Sequence, residues 1–152
     1  MREYRTIDKT EWGPGPWQDE PDKVQWQDEA TGLPCLAVRV PDTGHWCGYV
    51  GVSGGHPLFH VSYQDYDRVD VRVHGGLTFS DACSHGPEDR AICHVPEPGQ
   101  SDDVWWFGFD CAHHMDFGPG MTIHGVRNGD YRTLAYVKEQ CASLAAQLNN
   151  LW

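Results

Sequence analysis

A chain of 152 residues with 39% hydrophobic side chains has the length for a single domain around one core, and nothing in it demands a second. The formal net charge of −11 excludes a surface built to neutralise phosphates, because nucleic-acid affinity comes largely from Lys and Arg displacing counterions. No stretch approaches the ~18 consecutive apolar residues of a membrane span, and the opening MREYRTIDKT lacks an apolar signal core, so a cytoplasmic protein is expected.

Residues 1–34 carry Gly13-Pro14-Gly15-Pro16 together with Trp12, Trp17 and Trp26. Prolines bracketed by glycines cannot continue a helix or a central strand, which predicts an irregular, Trp-rich arm packed against the domain. Residues 35–120 hold the sheet and its loops. LAVRV (36–40) alternates as a half-buried strand, Pro41-Asp42-Thr43-Gly44 has turn composition, and HWCGYVGV (45–52) is the returning strand. SGGHPLFHVSYQDYD (53–67) shows no clear period and is expected to be a loop with room for a short helix.

VDVRVHGGLTFS (69–80) gives the cleanest strand pattern: Val69, Val71, Val73, Leu77 and Phe79 share one face, and Asp70, Arg72, His74 and Thr78 the other. Gly75-Gly76 suggests a bulge or a close backbone approach. A Cys-, Pro- and acid-rich loop (81–103) exceeds the ~12–15 residues usual for structureless loops. VWWFGFDC (104–111) is apolar enough for a central strand covered on both faces. The stretch 130–150 is predicted as a helix, with Asp130 as N-cap and Leu134, Val137, Cys141, Leu144 and Leu148 as its core stripe. The whole predicts an α+β domain: a mostly antiparallel sheet with one C-terminal amphipathic helix on a face.

Cysteines stand at 35, 47, 83, 93, 111 and 141. Without an export signal the default is free thiols in a reducing compartment. No CxxC pair is present; Cys83 and Cys93, with His85 and His94, are the one combination that could staple a loop. Cys111 beside His113 would suit a nucleophilic pair, but the apolar run before it favours a buried, inert thiol.

Four residues carry the sharper chemical expectation. Asp110, His113 and Asp116 are spaced by three, so a helical turn after the strand would set them on one side. His74 reaches them if strand 69–80 lies beside strand 104–111. Imidazole and carboxylate ligands converging at ~2.0–2.2 Å suit zinc, iron or manganese. If the strand instead ran on through His113, Asp110 would face away and the set would break. Glu97, fixed between two prolines, and His56, between a glycine pair and Pro57, are candidate proton-transfer groups.

The phrases WCGYVGV, VHGGLTFS, ICHVPEPG and DDVWWFGFDCAHHMD resemble those of a family of small proteins of bacteriophages and prophages, over roughly residues 26 to 120. That resemblance implies a phage origin, and so the cytoplasm of a bacterial host, and it points to the same His74, Asp110, His113 and Asp116. It carries no activity with it. The first functional expectation is a metal-dependent hydrolase of a small phosphorylated or nucleotide-like molecule. The alternatives are an acidic accessory protein that binds a host defence or replication protein, and a structural phage component.

Overall fold

The computed structural model describes residues 1–125 and 129–152. Six strands form one sheet: β1 (Arg2–Tyr4), β2 (Lys23–Gln27), β3 (Pro34–Arg39), β4 (Trp46–Ser53), β5 (Phe79–Ala82) and β6 (Val104–Asp110). Their order is β1-β2-β3-β4-β6-β5 and every pairing is antiparallel. Two short strands, β7 (Asp116–Phe117) and β8 (Asp130–Tyr131), pair in parallel beside it. The C-terminal helix α1 (Leu134–Asn149) packs on one face, giving the expected α+β domain.

Period-two alternation sorts the strands' side chains. Cys35 and Ala37 of β3, Trp46, Val50 and Val52 of β4, and Phe107 and Phe109 of β6 face α1, whose Val137, Cys141, Leu144 and Leu148 meet them. Each such aliphatic or aromatic side chain stabilises by roughly 1.5–3 kcal/mol on burial. Gly48 permits the close approach, because a Cβ there would lie 2.4 Å from the Phe109 ring and 3.1 Å from Cys141 Sγ. On the other face Leu36, Tyr49, Val104 and Trp106 pack under Cys83 and Ile92 of the long loop, so β6 is covered on both sides.

Four expectations need correction. The arm at 1–34 is not wholly irregular, since it contributes β1 and β2 and is irregular between them and from residue 28 to 33. The strand expected at 69–80 exists only from Phe79, paired with β6. Upstream, Gly75 and Gly76 take left-handed φ of 68° and 80°, and the backbone turns to α1 instead of a strand. The Gln147 amide bonds both the N–H and the C=O of Arg72 at 2.7 Å, and Gln140 accepts the His74 N–H at 2.9 Å. Side-chain amides thus replace a neighbouring strand, while Val69, Val71 and Val73 still face the core.

The N-cap of α1 is Thr133, whose hydroxyl accepts from Tyr136 N, and not Asp130, which is spent in β8. Finally, Cys83 and Cys93 form a disulfide, closing a loop whose ends already meet through Ser84 N–H and Ile92 C=O at 3.1 Å. Cys35, Cys47, Cys111 and Cys141 remain free thiols, of which all but Cys47 are fully buried. No described helix is long and apolar enough to cross a membrane.

Candidate functional site

Beyond β6 the chain turns back on itself. Ala112 N–H bonds Asp110 Oδ1 at 3.1 Å, and Asp116 N–H bonds the His113 carbonyl at 2.9 Å. Met115 adopts a left-handed φ of 74°, which few non-glycine residues do, and this returns the Asp116 carboxylate beneath the His113 N–H at 3.1 Å. The β7–β8 pairing then fixes Asp116 next to the start of α1. The segment 69–78, held along α1 by Gln140 and Gln147, delivers His74 to the same place.

His74 is bonded at both ring nitrogens. Its Nε2 lies 2.7 Å from Asp116 Oδ2 and its Nδ1 2.7 Å from the Tyr136 hydroxyl. Burial raises the Asp116 pKa, but hydrogen bonds from His74, Arg132 and the His113 N–H outweigh it and hold the carboxyl below its ordinary value. An ionised carboxylate only accepts, so Nε2 carries a proton, and in the neutral imidazole Nδ1 accepts from the Tyr136 O–H. Burial also raises the Tyr136 pKa, which keeps that phenol a donor. Arg132 Nε closes the other Asp116 oxygen at 2.9 Å, and its guanidinium lies 5.2 Å over the Tyr136 ring.

A second His–Asp pair stands beside the first. His113 Nε2 is 3.2 Å from Asp110 Oδ1, the i,i+3 proximity expected of that spacing. The nitrogen is off the hydrogen-bonding direction, however, and is buried without a hydrogen-bond partner. Thr78 Oγ1 donates to the other Asp110 oxygen at 2.9 Å, so the polar face shared by segments 69–80 and 104–110 is realised by Thr78 rather than His74. The His74 and His113 ring centroids are 6.0 Å apart. What approaches the Gly75 backbone is the His113 ring: a Cβ at Gly75 would sit 2.2 Å from its Nε2.

His45 completes the surroundings. The β4–β6 register pairs Cys47 with Asp110, so His45, two residues earlier, is on the same face and diagonal to Asp110. Burial lowers its pKa against the pull of Asp110 and Asp116, and its Nδ1 contacts the Thr43 hydroxyl.

The four residues expected as metal ligands are therefore gathered, but as two pairs, His74 with Asp116 and His113 with Asp110. Among the described residues no three His, Cys, Asp or Glu side chains are grouped to hold one ion. His114 is exposed. His56 is elsewhere and fully engaged: its Nδ1 accepts from Leu58 N–H at 3.0 Å and its Nε2 donates to the Leu148 carbonyl at 2.8 Å, clamping a loop to the end of α1. Glu97 is exposed and lines a separate cleft of about 290 Å³ with Gln25, Trp26 and His94. Neither residue contacts the His74 cluster. Tyr136, Arg132 and His45 escaped the sequence reading, although Tyr136, Gln140 and Gln147 recur on one polar flank of the helix at multiples of a turn.

The sequence matches no protein-family model, and neither curated proteins nor solved structures yield a match. Fold and site together define an α+β domain with two neighbouring His–Asp pairs at the end of its sheet.

Proposed function

We propose that this protein is a hydrolase of small phosphorylated or nucleotide-like molecules, working by proton transfer at His74 with a divalent cation beside it. The observation that carries this is His74 held between Asp116 and Tyr136 at 2.7 Å on each side, since acid–base catalysis needs an imidazole of fixed tautomer and orientation. Arg132 gives the anionic substrate its counter-charge. Its Nε is spent on Asp116, while its terminal N–H groups make no hydrogen bond among the described residues.

Asp110 and His113 are the residues to hold zinc, manganese or iron. Their facing donor atoms are 3.2 Å apart without sharing a hydrogen bond, the separation that two ligands with bonds of about 2.1 Å keep around one ion. Such an ion supplies a polarised water and charge neutralisation.

The test is hydrolysis of a panel of phosphomonoesters, phosphodiesters and nucleotides by the purified protein, after chelation and with each ion restored, alongside elemental analysis. His74→Gln and Asp116→Asn are expected to reduce turnover by about 100-fold or more with the fold intact by circular dichroism. Asp110→Asn and His113→Gln should reduce bound metal. A folded protein that hydrolyses no phosphorylated class with any of the ions overturns the proposal.

A further inference from the structure

We infer that Tyr136 is the nucleophile of this site, activated through His74 and Asp116. This rests on the hydrolase proposal for its natural reaction, though not for its test. Both nitrogens of His74 are occupied, one by Asp116 and one by Tyr136, so the imidazole has no open position for a substrate. The outward end of the chain of bonds is the Tyr136 hydroxyl, which makes no other hydrogen bond among the described residues and keeps its oxygen lone pairs open. The arrangement is carboxylate, imidazole, hydroxyl, with a phenol where a triad has an aliphatic alcohol.

Other tyrosines lack one part or another. Tyr131 is closed by Glu20, Arg39 and Trp46, and Tyr66 is 72% exposed with its hydroxyl in no hydrogen bond among the described residues. Burial makes the phenol costlier to ionise than an exposed one, and two charges work against that cost. The proton goes to an imidazole whose far nitrogen faces Asp116, and the resulting phenolate has the Arg132 guanidinium 5.2 Å over its ring.

The step balances as follows. The phenol proton passes to His74 Nδ1 as Tyr136 Oη forms its bond to phosphorus, and the bond from phosphorus to the leaving oxygen breaks. The imidazolium returns the proton to that oxygen. Water then attacks the phosphorus and gives a proton to Nδ1, the bond to Oη breaks, and the proton goes back to Oη. Net hydrolysis results, with the enzyme regenerated.

Diisopropyl fluorophosphate tests the assignment without any knowledge of the substrate. Attack by Oη forms the phosphoryl–oxygen bond, fluoride leaves, and the modified residue is located by mass spectrometry. Tyr136 is expected to be labelled roughly 100-fold faster than exposed Tyr66 in the same molecule, the margin a positioned base supplies. His74→Gln and Asp116→Asn should bring Tyr136 down towards the Tyr66 rate, and Tyr136→Phe should abolish the label. The comparison of two tyrosines within the unaltered protein does not depend on a variant folding. Labelling of Tyr136 no faster than Tyr66 overturns the nucleophile assignment. So does label on His74 instead, an outcome that leaves the hydrolase proposal standing. Absence of label from both residues, with no hydrolysis in the panel, overturns both.

Discussion

Two buried aspartates, each paired with an arginine, have opposite designs. Asp22 accepts from Lys9 Nζ at 2.6 Å, Arg39 Nε at 3.2 Å and the backbone N–H groups of Thr6 and Ile7 at 2.8 and 2.9 Å. All five N–H groups of Arg39 are used: on Asp22, the Gly44 and Pro21 carbonyls, Tyr131 and Glu20. Its guanidinium also lies 4.3 Å over the Trp46 ring. Asp116 is as buried, but Arg132 spends a single N–H on it, and the Tyr136 hydroxyl and His113 Nε2 beside it retain unused capacity. A closed network of buried charge is a device for holding the N-terminal arm to the sheet. An unclosed one, with spare groups left over, is where a ligand would complete the set.

The sharpest way to break this contrast is to remove each arginine. Arg39→Met leaves the Gly44 and Pro21 carbonyls without this donor and takes a buried cation from Asp22 and Glu20, and is expected to cost ~3–5 kcal/mol. At about 2–4 °C per kcal/mol for a chain of this size, calorimetry should show a Tm lower by on the order of 10 °C. Arg132→Met removes a side chain still 28% exposed, whose loss water can partly offset. Its expected cost is about 1 kcal/mol, with a much larger loss of hydrolysis. Equal falls in Tm for the two variants would mean that Asp116 belongs to the scaffold and not to a site.

The sheet was legible because β3, β4, β6 and α1 declare themselves by periods of two and near 3.6. The residues near Asp110 were legible because the i,i+3 spacing brings His113 back to it. Three other features were hidden for physical reasons. Segment 69–78 has a strand's alternation, yet its backbone partners are the Gln140 and Gln147 side chains, and no local pattern distinguishes an amide from a neighbouring strand. β2 was masked by the Gly-Pro composition preceding it, although VQWQ alternates. The pairing of His74 with Asp116 rather than Asp110 depends on a left-handed Met115, a conformation nothing in that residue's chemistry announces. Reading α1 as packing alone concealed Tyr136, because a helix that presents an apolar stripe to a core has a second flank to present elsewhere.

A smaller effect sharpens the geometry of the site. Gly75 and Gly76 both have left-handed backbones, but a Cβ at Gly76 meets nothing within 4 Å, whereas at Gly75 it would collide with the His113 ring. Gly76→Ala should therefore cost only the left-handed conformation, ~1–2 kcal/mol. Gly75→Ala carries the same cost and must also displace His113, so it should melt lower than Gly76→Ala and bind less metal. Identical behaviour of the two variants would show that the His113 ring swings away freely and is not held by Gly75 against Asp110.

Acid titration separates the two regions by the smallest effect. Burial lowers the pKa of His45 and of His94 below the ordinary imidazole value near 6.5, so both are neutral in the folded protein near neutral pH. A depressed imidazole contributes stability that is present above about pH 6.5 and is lost as the pH falls through the folded value, because the unfolded chain binds the proton first. Asp22 and Asp116 are also depressed, each by hydrogen bonds that overcome burial, so their contributions hold above the ordinary carboxylate range near 3.9 and fail below it. Urea unfolding measured against pH should accordingly show a shallow decline beginning near pH 6.5 and a steeper one beginning near pH 4. His45→Gln should flatten part of the first decline and leave the second, while Asp22→Asn should lower stability near neutral pH and diminish the second decline. A first decline that persists in full when both His45 and His94 are replaced by glutamine would remove burial of these imidazoles as its cause.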